Sequence, residues 1–347
     1  MPTPEITVTG TALIGEDLEA EAVEIVVADG TIAAIEPCLR PADRWICPAF
    51  FNAHTHLGDT VAMDCSASGS LAGLVAPPNG LKHRILASTP RDLLAAGMRA
   101  SINIMLRTGT AGFADFREGG PAGVAALREA AEGLMCRAVI FGRDGGEREA
   151  DGIGISSVRD VPDAERQVRE ARRLGKLVAI HAGERDPDDI DGAIALEPDL
   201  LIHCTHATDR QLRECADRGI PIAVCPRSNW LLGVADSPAR PPIPRMLACG
   251  CTVLLGTDNA MFVQPDLLQE MAFASFVYRA PPEYLLRAAV AGSALAGRPH
   301  FIREGADANF FIVDCSKSNL CFSSSPVVSI VRRLNGCTIE HNVLTLR

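Results

Sequence analysis

The sequence predicts an α/β fold, a (β/α)8 TIM-like barrel with a small β-sandwich domain formed by the two terminal segments. Three observations carry this. Between residues 48 and 296, short apolar runs alternate with amphipathic helical stretches, and near-continuous apolar strands between helices imply a parallel sheet covered on both faces. Eight such units fit the size of about 250 residues that this barrel needs. β-like runs before residue 48 and after residue 296 fall outside the alternation. The segments 1–47 and 297–347 are therefore expected to meet as one small β-domain flanking the barrel at 48–296.

Taken in order, "EITVTGTALIG" and "AVEIVVADGTIAAIE" read as short strands, with Asp29-Gly30 as a hairpin turn between alternating apolar residues. The eight barrel strands are expected in "CPAFFNAH", "GTAGFADF", "MCRAVIFG", "GIGISSV", "KLVAIHAG", "DLLIHCTH", "IPIAVCPR" and "CTVLLGTD". Between them, "RDLLAAGMRASINIMLR", "DAERQVREARRLG" and "DRQLRECADRG" place acids early, bases late and, in the last two, a glycine at the stop, the order that helix termini favour. After residue 297, "ANFFIVD" and "VSIVRRLNGCTIEHNVLTL" return to β-like patterning. No repeat or low-complexity tract interrupts the chain.

Composition narrows the function. The chain has 347 residues, 47% of them hydrophobic, enough for a sizeable core. A net charge of −10 without a long basic run argues against nucleic acid and anionic membrane surfaces as partners. No segment approaches the roughly 20 apolar residues of a membrane span, and the N-terminus lacks a basic, apolar signal pattern. A cytoplasmic protein acting on a small molecule is expected, with a homo-oligomer left open. Of the twelve cysteines, Cys47, Cys204, Cys225, Cys251 and Cys315 lie in apolar runs and none forms a CxxC pair; they read as buried hydrophobes in a reducing compartment, and a zinc finger is excluded.

In such barrels chemistry collects where strands run out into loops. The first exit carries His54 and His56, which share one strand face at i and i+2. The fifth carries His181 and Glu184, the sixth His203 and His206, and the eighth Asp258. Singly, each reads as a loop histidine or an Asp capping the next helix. Five of the eight histidines converging on one barrel face with two acids point instead to a metal centre. Three imidazoles and a carboxylate suit one divalent ion, Zn²⁺ first, with Fe²⁺ or Mn²⁺ as alternatives.

These motifs resemble the amidohydrolase superfamily, in particular its branch of cytosine, guanine and nucleoside deaminases and chlorohydrolases. "PAFFNAHTH" is similar to the family's "PGFIDAHTH", "HAGE" to its HxxE, "HCTH" to its strand-six segment, "CPRSNWLLG" to its strand-seven segment, "LGTDNA" to its "GTD" and "GADANFFIVD" to its "GKDADLVVVD". The resemblance implies that His54, His56, His181 and Asp258 ligate one metal. It implies that His203 hydrogen-bonds the attacking water or the substrate, that His206 is a neighbour, and that Glu184 shuttles protons. Binuclear relatives use a lysine at the end of strand four; "GIGISSV" offers none and Lys176 sits at the entry end of its strand, so one ion is expected. The implied activity is hydrolytic deamination: metal-activated hydroxide, near pH 7, releases ammonia from an amino-substituted N-heterocycle or nucleoside, with Asp258 taking the water's proton and Glu184 as general acid. Alternatives are a hydrolase on the same scaffold expelling chloride, an alkylamine or an amide amine, and a non-catalytic metal-binding barrel.

Four arginines follow strand ends: Arg117, Arg143, Arg185 and Arg227. They are candidate ligands for a substrate carboxylate or phosphate; the alternative is pairing with the neighbouring acids Glu118, Asp144, Glu184 or Asp186. The Gly/Ser/Ala-rich loop over 57–83, containing Pro77-Pro78, reads as a lid. From it His83 and Lys82 are candidates to reach the pocket, His83 as a substrate contact; the alternative, preferred for both, is a solvated loop residue.

Overall fold

A computed structural model describes residues 5–75 and 79–343, so Pro77-Pro78 lies outside the described residues. The chain opens with four strands, β1 (Ile6–Ile14), β2 (Glu19–Ala28), β3 (Thr31–Pro37) and β4 (Arg44–Pro48). β1 and β2 pair antiparallel, and β2 turns into β3 through Asp29 and Gly30, both at positive φ, as the hairpin signal requires.

Only Ala49 separates β4 from β5 (Phe50–His56), which starts the second sheet. All seven residues of β5 are buried, as expected of a strand covered on both faces. The loop after it carries two short helices, α1 (Leu71–Leu74) and α2 (Leu81–Ser88), before the long α3 (Arg91–Arg107). Then follow β6 (Thr110–Arg117), α4 (Gly120–Ala131), β7 (Arg137–Gly142), β8 (Gly152–Ile155), α5 (Ala164–Arg173), β9 (Leu177–Ala182), α6 (Ile190–Ala195) and β10 (Leu200–His203). The circuit continues with α7 (Asp209–Asp217), β11 (Ile222–Val224), α8 (Pro226–Leu231), α9 (Ile243–Ala248), β12 (Val253–Leu255) and β13 (Asp258–Asn259), and with α10 (Leu267–Val277) and α11 (Pro282–Ala291) outside it. Each of the eight apolar runs contains a strand. The predicted helix over "RDLLAAGMRASINIMLR" coincides with α3, and Gly175 and Gly219 follow α5 and α7 at positive φ.

The second sheet has nine strands in the order β12-β11-β10-β9-β8-β7-β6-β5-β13, with parallel pairing throughout. β12 and β13 belong to one run, which pairs with β11 on one side and β5 on the other and so curls the sheet round on itself. Asn52 clamps this seam: its side chain donates to Thr257 Oγ1 (2.8 Å) and accepts from Thr257 N (3.1 Å). Phe51, Phe116 and Phe141 fill the inside. A Cβ on Gly154 would stand 2.6 Å from the Phe116 ring, so only glycine leaves that ring its place.

β14 (Phe310–Asp314) and β15 (Ile339–Val343) complete a six-stranded sheet, β15-β14-β4-β1-β2-β3, from both chain ends. Phe50 packs edge-on against Phe311 at 5.0 Å, which seats this sheet at the entry end of β5, away from the histidines at its exit. One expectation is corrected here. "PVVSIVRR" is not a strand but helix α12 (Pro326–Arg333): the Ser325 hydroxyl accepts from Val328 N and Pro326 occupies the first turn, start signals that override the β-branched content.

All twelve cysteines are free thiols, and Cys47, Cys204, Cys225, Cys251 and Cys315 are buried, as expected of small core residues. Among the described residues no helix is long and apolar enough to cross a membrane.

Candidate metal-dependent active site

The exits of β5, β9 and β10 and the start of β13 bring their polar residues to one point. Ligand atoms of His54, His56 and His181 lie within 4.8 Å of one another, and so do those of His54, His203 and Asp258. Parallel register explains this: Asp258 stands beside Thr55, between the two histidines of β5, and Ile202, next to His203, stands beside His181. His203 and Asp258 both sit at positive φ (72° and 63°), conformations held by the surrounding packing.

Hydrogen bonds fix the rings. His56 Nδ1 lies 3.1 Å from Phe116 O and His181 Nδ1 3.0 Å from Ile155 O, so each Nδ1 is the donor and each Nε2 keeps a free lone pair. Asp258 Oδ1 is 3.2 Å from His54 Nε2 and 3.6 Å from His56 Nε2, while Oδ2 accepts from the Ser228 hydroxyl at 2.7 Å. Burial lowers His54 to a pKa of about 4 and His56 to about 3, and takes His181 well below its usual value. Burial would raise Asp258, but the His54 hydrogen bond and the surrounding imidazoles hold it well below the carboxylate range. The cluster is thus three neutral imidazoles and one carboxylate. The buried His54 Nδ1 and His203 Nδ1 have no hydrogen-bond partner among the described residues. Neutral nitrogen donors with one hard anionic oxygen fit a borderline divalent ion.

Glu184 approaches His203, Oε1 to Nε2 3.7 Å, and burial raises its pKa. His206 is not among the clustered donors. The arginines divide. Arg117 is buried against Asp115 (3.2 Å) and Glu118 (2.6 Å). Arg227 is held by Glu270 (2.5 Å) and the Gln269 side chain (3.0 Å). Arg185 reaches Asp160 (2.8 Å) at the rim, rather than Glu184 or Asp186. Arg143 stands nearest the centre, with Nη2 3.3 Å from His181 Nδ1 and Nη1 3.8 Å from Glu118. His83 is half-buried, with Nε2 3.1 Å from Val75 O.

Lys82 corrects the sequence reading. It is 2% exposed, with Nζ 2.7 Å from Glu118 and 3.3 Å from Asp59, because α2 folds back over the β5 exit. Glu118 also lies 2.9 Å from His56 Nδ1. Asp115 accepts from Leu57 N (2.7 Å) and the Thr55 hydroxyl (3.0 Å), locking the backbone on either side of His56. Asp115 and Ser228 were not singled out by sequence, and Glu118 only as the pairing partner of Arg117, which it is. Glu118 and Ser228 each stand beside a strand-exit arginine, which was the signal available.

Two family models match the chain, "Amidohydrolase family" over residues 45–145 and "Adenosine deaminase" over 151–293. A relative from Methanothermobacter thermautotrophicus, provisionally named an aminohydrolase, is 34% identical over 96% of both chains. A 5-methylthioadenosine/S-adenosylhomocysteine deaminase from Natronomonas pharaonis is 27% identical, with 99% of this chain and 89% of that protein covered. Among solved structures, a zinc-bound adenosine deaminase from Xanthomonas campestris superposes with a TM-score of 0.74 (19% identity; 96% and 90% covered). The zinc complex of the atrazine chlorohydrolase TrzN from Arthrobacter aurescens superposes with a TM-score of 0.79 (18% identity; 94% and 90% covered).

Proposed function

The chain belongs to the amidohydrolase superfamily, and from that premise we propose that it is a mononuclear metal-dependent deaminase that hydrolyses an amino-substituted N-heterocycle or its nucleoside to the oxo product and ammonia. Its membership makes it an enzyme acting on C–N bonds other than peptide bonds. The single observation that carries the finer reading is the combination of three neutral histidines and Asp258 with a carboxyl of raised pKa, Glu184, at the same recess.

His54, His56, His181 and Asp258 would hold the ion, zinc first. When bound, it supplies Lewis-acid activation of water near neutral pH. Asp258 Oδ1 takes a proton from the attacking water, while Ser228 steadies Oδ2. His203 orients that water through Nδ1, the ring nitrogen that lacks a partner among the described residues. Glu184, protonated more readily than an ordinary carboxyl, gives its proton to the ring nitrogen next to the attacked carbon. The water oxygen bonds to that carbon, the exocyclic C–N bond breaks, and the proton held by Asp258 leaves with the amine as ammonia. Glu184 recovers its proton from the new hydroxyl through the ring nitrogen, which leaves a carbonyl.

A nucleoside-type substrate is supported by the adenosine deaminase model match and by the relative named for 5-methylthioadenosine and S-adenosylhomocysteine. The same reading keeps 48–296 as the catalytic barrel, treats 1–47 with 297–347 as a small β-sandwich domain, makes α1 and α2 a lid, and places the enzyme in the cytoplasm. The testing experiment is an ammonia assay of zinc-loaded protein across aminated purines, pterins and pyrimidines and their nucleosides. Release from at least one class is expected. Silence across the panel, with rapid hydrolysis of a halogenated ring or an amide, overturns the reading.

A further inference from the structure

Arg117 and Arg143 stand at the exits of the adjacent strands β6 and β7, yet their partners differ. Arg117 is ion-paired with Asp115 at 3.2 Å and with Glu118 at 2.6 Å. Arg143 is only 13% exposed, and among the described residues its nearest carboxylate oxygen is Glu118 Oε1 at 3.8 Å, beyond hydrogen-bond length. That oxygen is already held by Lys82 Nζ at 2.7 Å.

The hydrogen bonds of Arg143 leave its outer edge empty. Nε donates to Gly154 O at 3.1 Å. Nη2 lies 3.3 Å from His181 Nδ1, but that nitrogen donates to Ile155 O and cannot accept a second proton. Among the described residues neither Nη1 nor Nη2 therefore has an acceptor. The Phe116 ring, its centroid 5.4 Å from the guanidinium carbon, holds the group in place. Largely buried charges are normally paired, so the partner of Arg143 is to be sought outside the chain.

Arg143 lines the metal-site recess with Lys82, Ser156, His181 and Glu184. Lys82 carries three ammonium protons, and Glu118 and Asp59 account for two of them. The Ser156 hydroxyl adds an uncharged donor. Leu71, Ala72 and Val75 close the recess to about 60 Å³, so a ring enters only when α1 moves aside.

We propose that Arg143, with Lys82 and Ser156, binds a carboxylate of the substrate, so that the preferred substrate is an aminated heterocycle carrying that carboxylate directly on its ring. The proposal rests on the deaminase reading. The free Nη1–Nη2 fork matches two carboxylate oxygens in one plane. Its contact with His181, a candidate metal ligand, places the carboxylate beside the reacting ring rather than at the end of a long substituent.

The test compares pterin, cytosine and adenine with their 6-, 5- and 8-carboxylates and with the matching carboxamides, which keep the shape without the charge. Zinc-loaded unaltered protein, Arg143→Gln and Arg143→Lys are assayed for ammonia release and, by thermal shift, for binding. The unaltered protein should favour at least one carboxylate over its carboxamide by at least about tenfold in kcat/KM. Arg143→Gln should abolish that ratio and Arg143→Lys restore part of it, whereas a merely structural role would lower both compounds alike. A ratio near one in the unaltered protein overturns the proposal whether or not the variants fold, and so does a ratio that survives in folded Arg143→Gln. Ammonia from the rings without any carboxylate preference leaves the deaminase reading standing and removes the anion site. If nothing releases ammonia but a carboxylate raises Tm in the unaltered protein and not in Arg143→Gln, the anion site stands and the deaminase reading falls. Neither release nor a shift with any compound overturns both.

Discussion

Glu118 Oε1 lies 2.9 Å from His56 Nδ1 and 2.7 Å from Lys82 Nζ, so one buried carboxylate links a histidine of the candidate metal site to a lysine of the loop helix α2. Burial would raise its pKa, but Lys82, His56 and Arg117 outweigh that and keep it ionised. Phe116 O accepts the Nδ1 proton and fixes the His56 tautomer, and the Glu118 charge beside that proton raises the basicity of Nε2. Glu118→Ala should therefore weaken zinc binding about 10- to 100-fold, read by competition with a chromophoric chelator. Unchanged affinity would remove Glu118 from the metal's support.

Lys82 stands between Glu118 and Asp59, both buried. Lys82→Met should destabilise the fold by about 3 kcal/mol in urea unfolding, because it leaves acids buried without their counter-charge. Adding Asp59→Asn should recover part of that loss. An additive double variant would show that the two residues do not interact.

Much of this site was legible in the sequence, for a physical reason. A strand end and its first loop residue are neighbours in both sequence and space, so His54, His56, His181, Glu184, His203 and Asp258 could be read off the exits of apolar runs. The supporting residues could not. Lys82 and Glu118 meet only after α2 folds back over β5, and a lysine in a polar loop carries no sign of its burial. The α12 segment misled for a different reason: its Val and Ile content reads as strand, while the Ser325-Pro326 start decides for helix. The arginines at strand exits looked alike in sequence, and only their tertiary partners separate Arg117 and Arg227 from Arg143.

Arg227 is one of those engaged arginines, and Glu270, its partner, is fully buried. Arg227→Ala should lower stability by about 3 kcal/mol, since Glu270 would keep only a backbone donor. KM measured below the unfolding transition should stay near that of the unaltered protein. A large KM rise with unchanged stability would restore Arg227 as a substrate ligand.

Glu184 lies near His203 with a raised pKa but is not among the clustered metal donors. Glu184→Gln should keep full zinc content and the unaltered circular dichroism spectrum while kcat falls by at least about 10². A near-normal kcat would exclude it as the proton carrier.

His54 is the donor shared by both groups of clustered ligands, so the account stands or falls on the link between that cluster and turnover. Metal-free protein should be titrated with Zn²⁺ while ammonia release is followed on the best substrate of the panel, for the unaltered chain and for His54→Ala. Activity rising linearly to a break at one ion per chain, with no recovery in His54→Ala, is the predicted result. Ammonia release by the metal-free protein, a break at two ions, or full recovery in the variant would contradict a mononuclear deaminase built on His54, His56, His181 and Asp258.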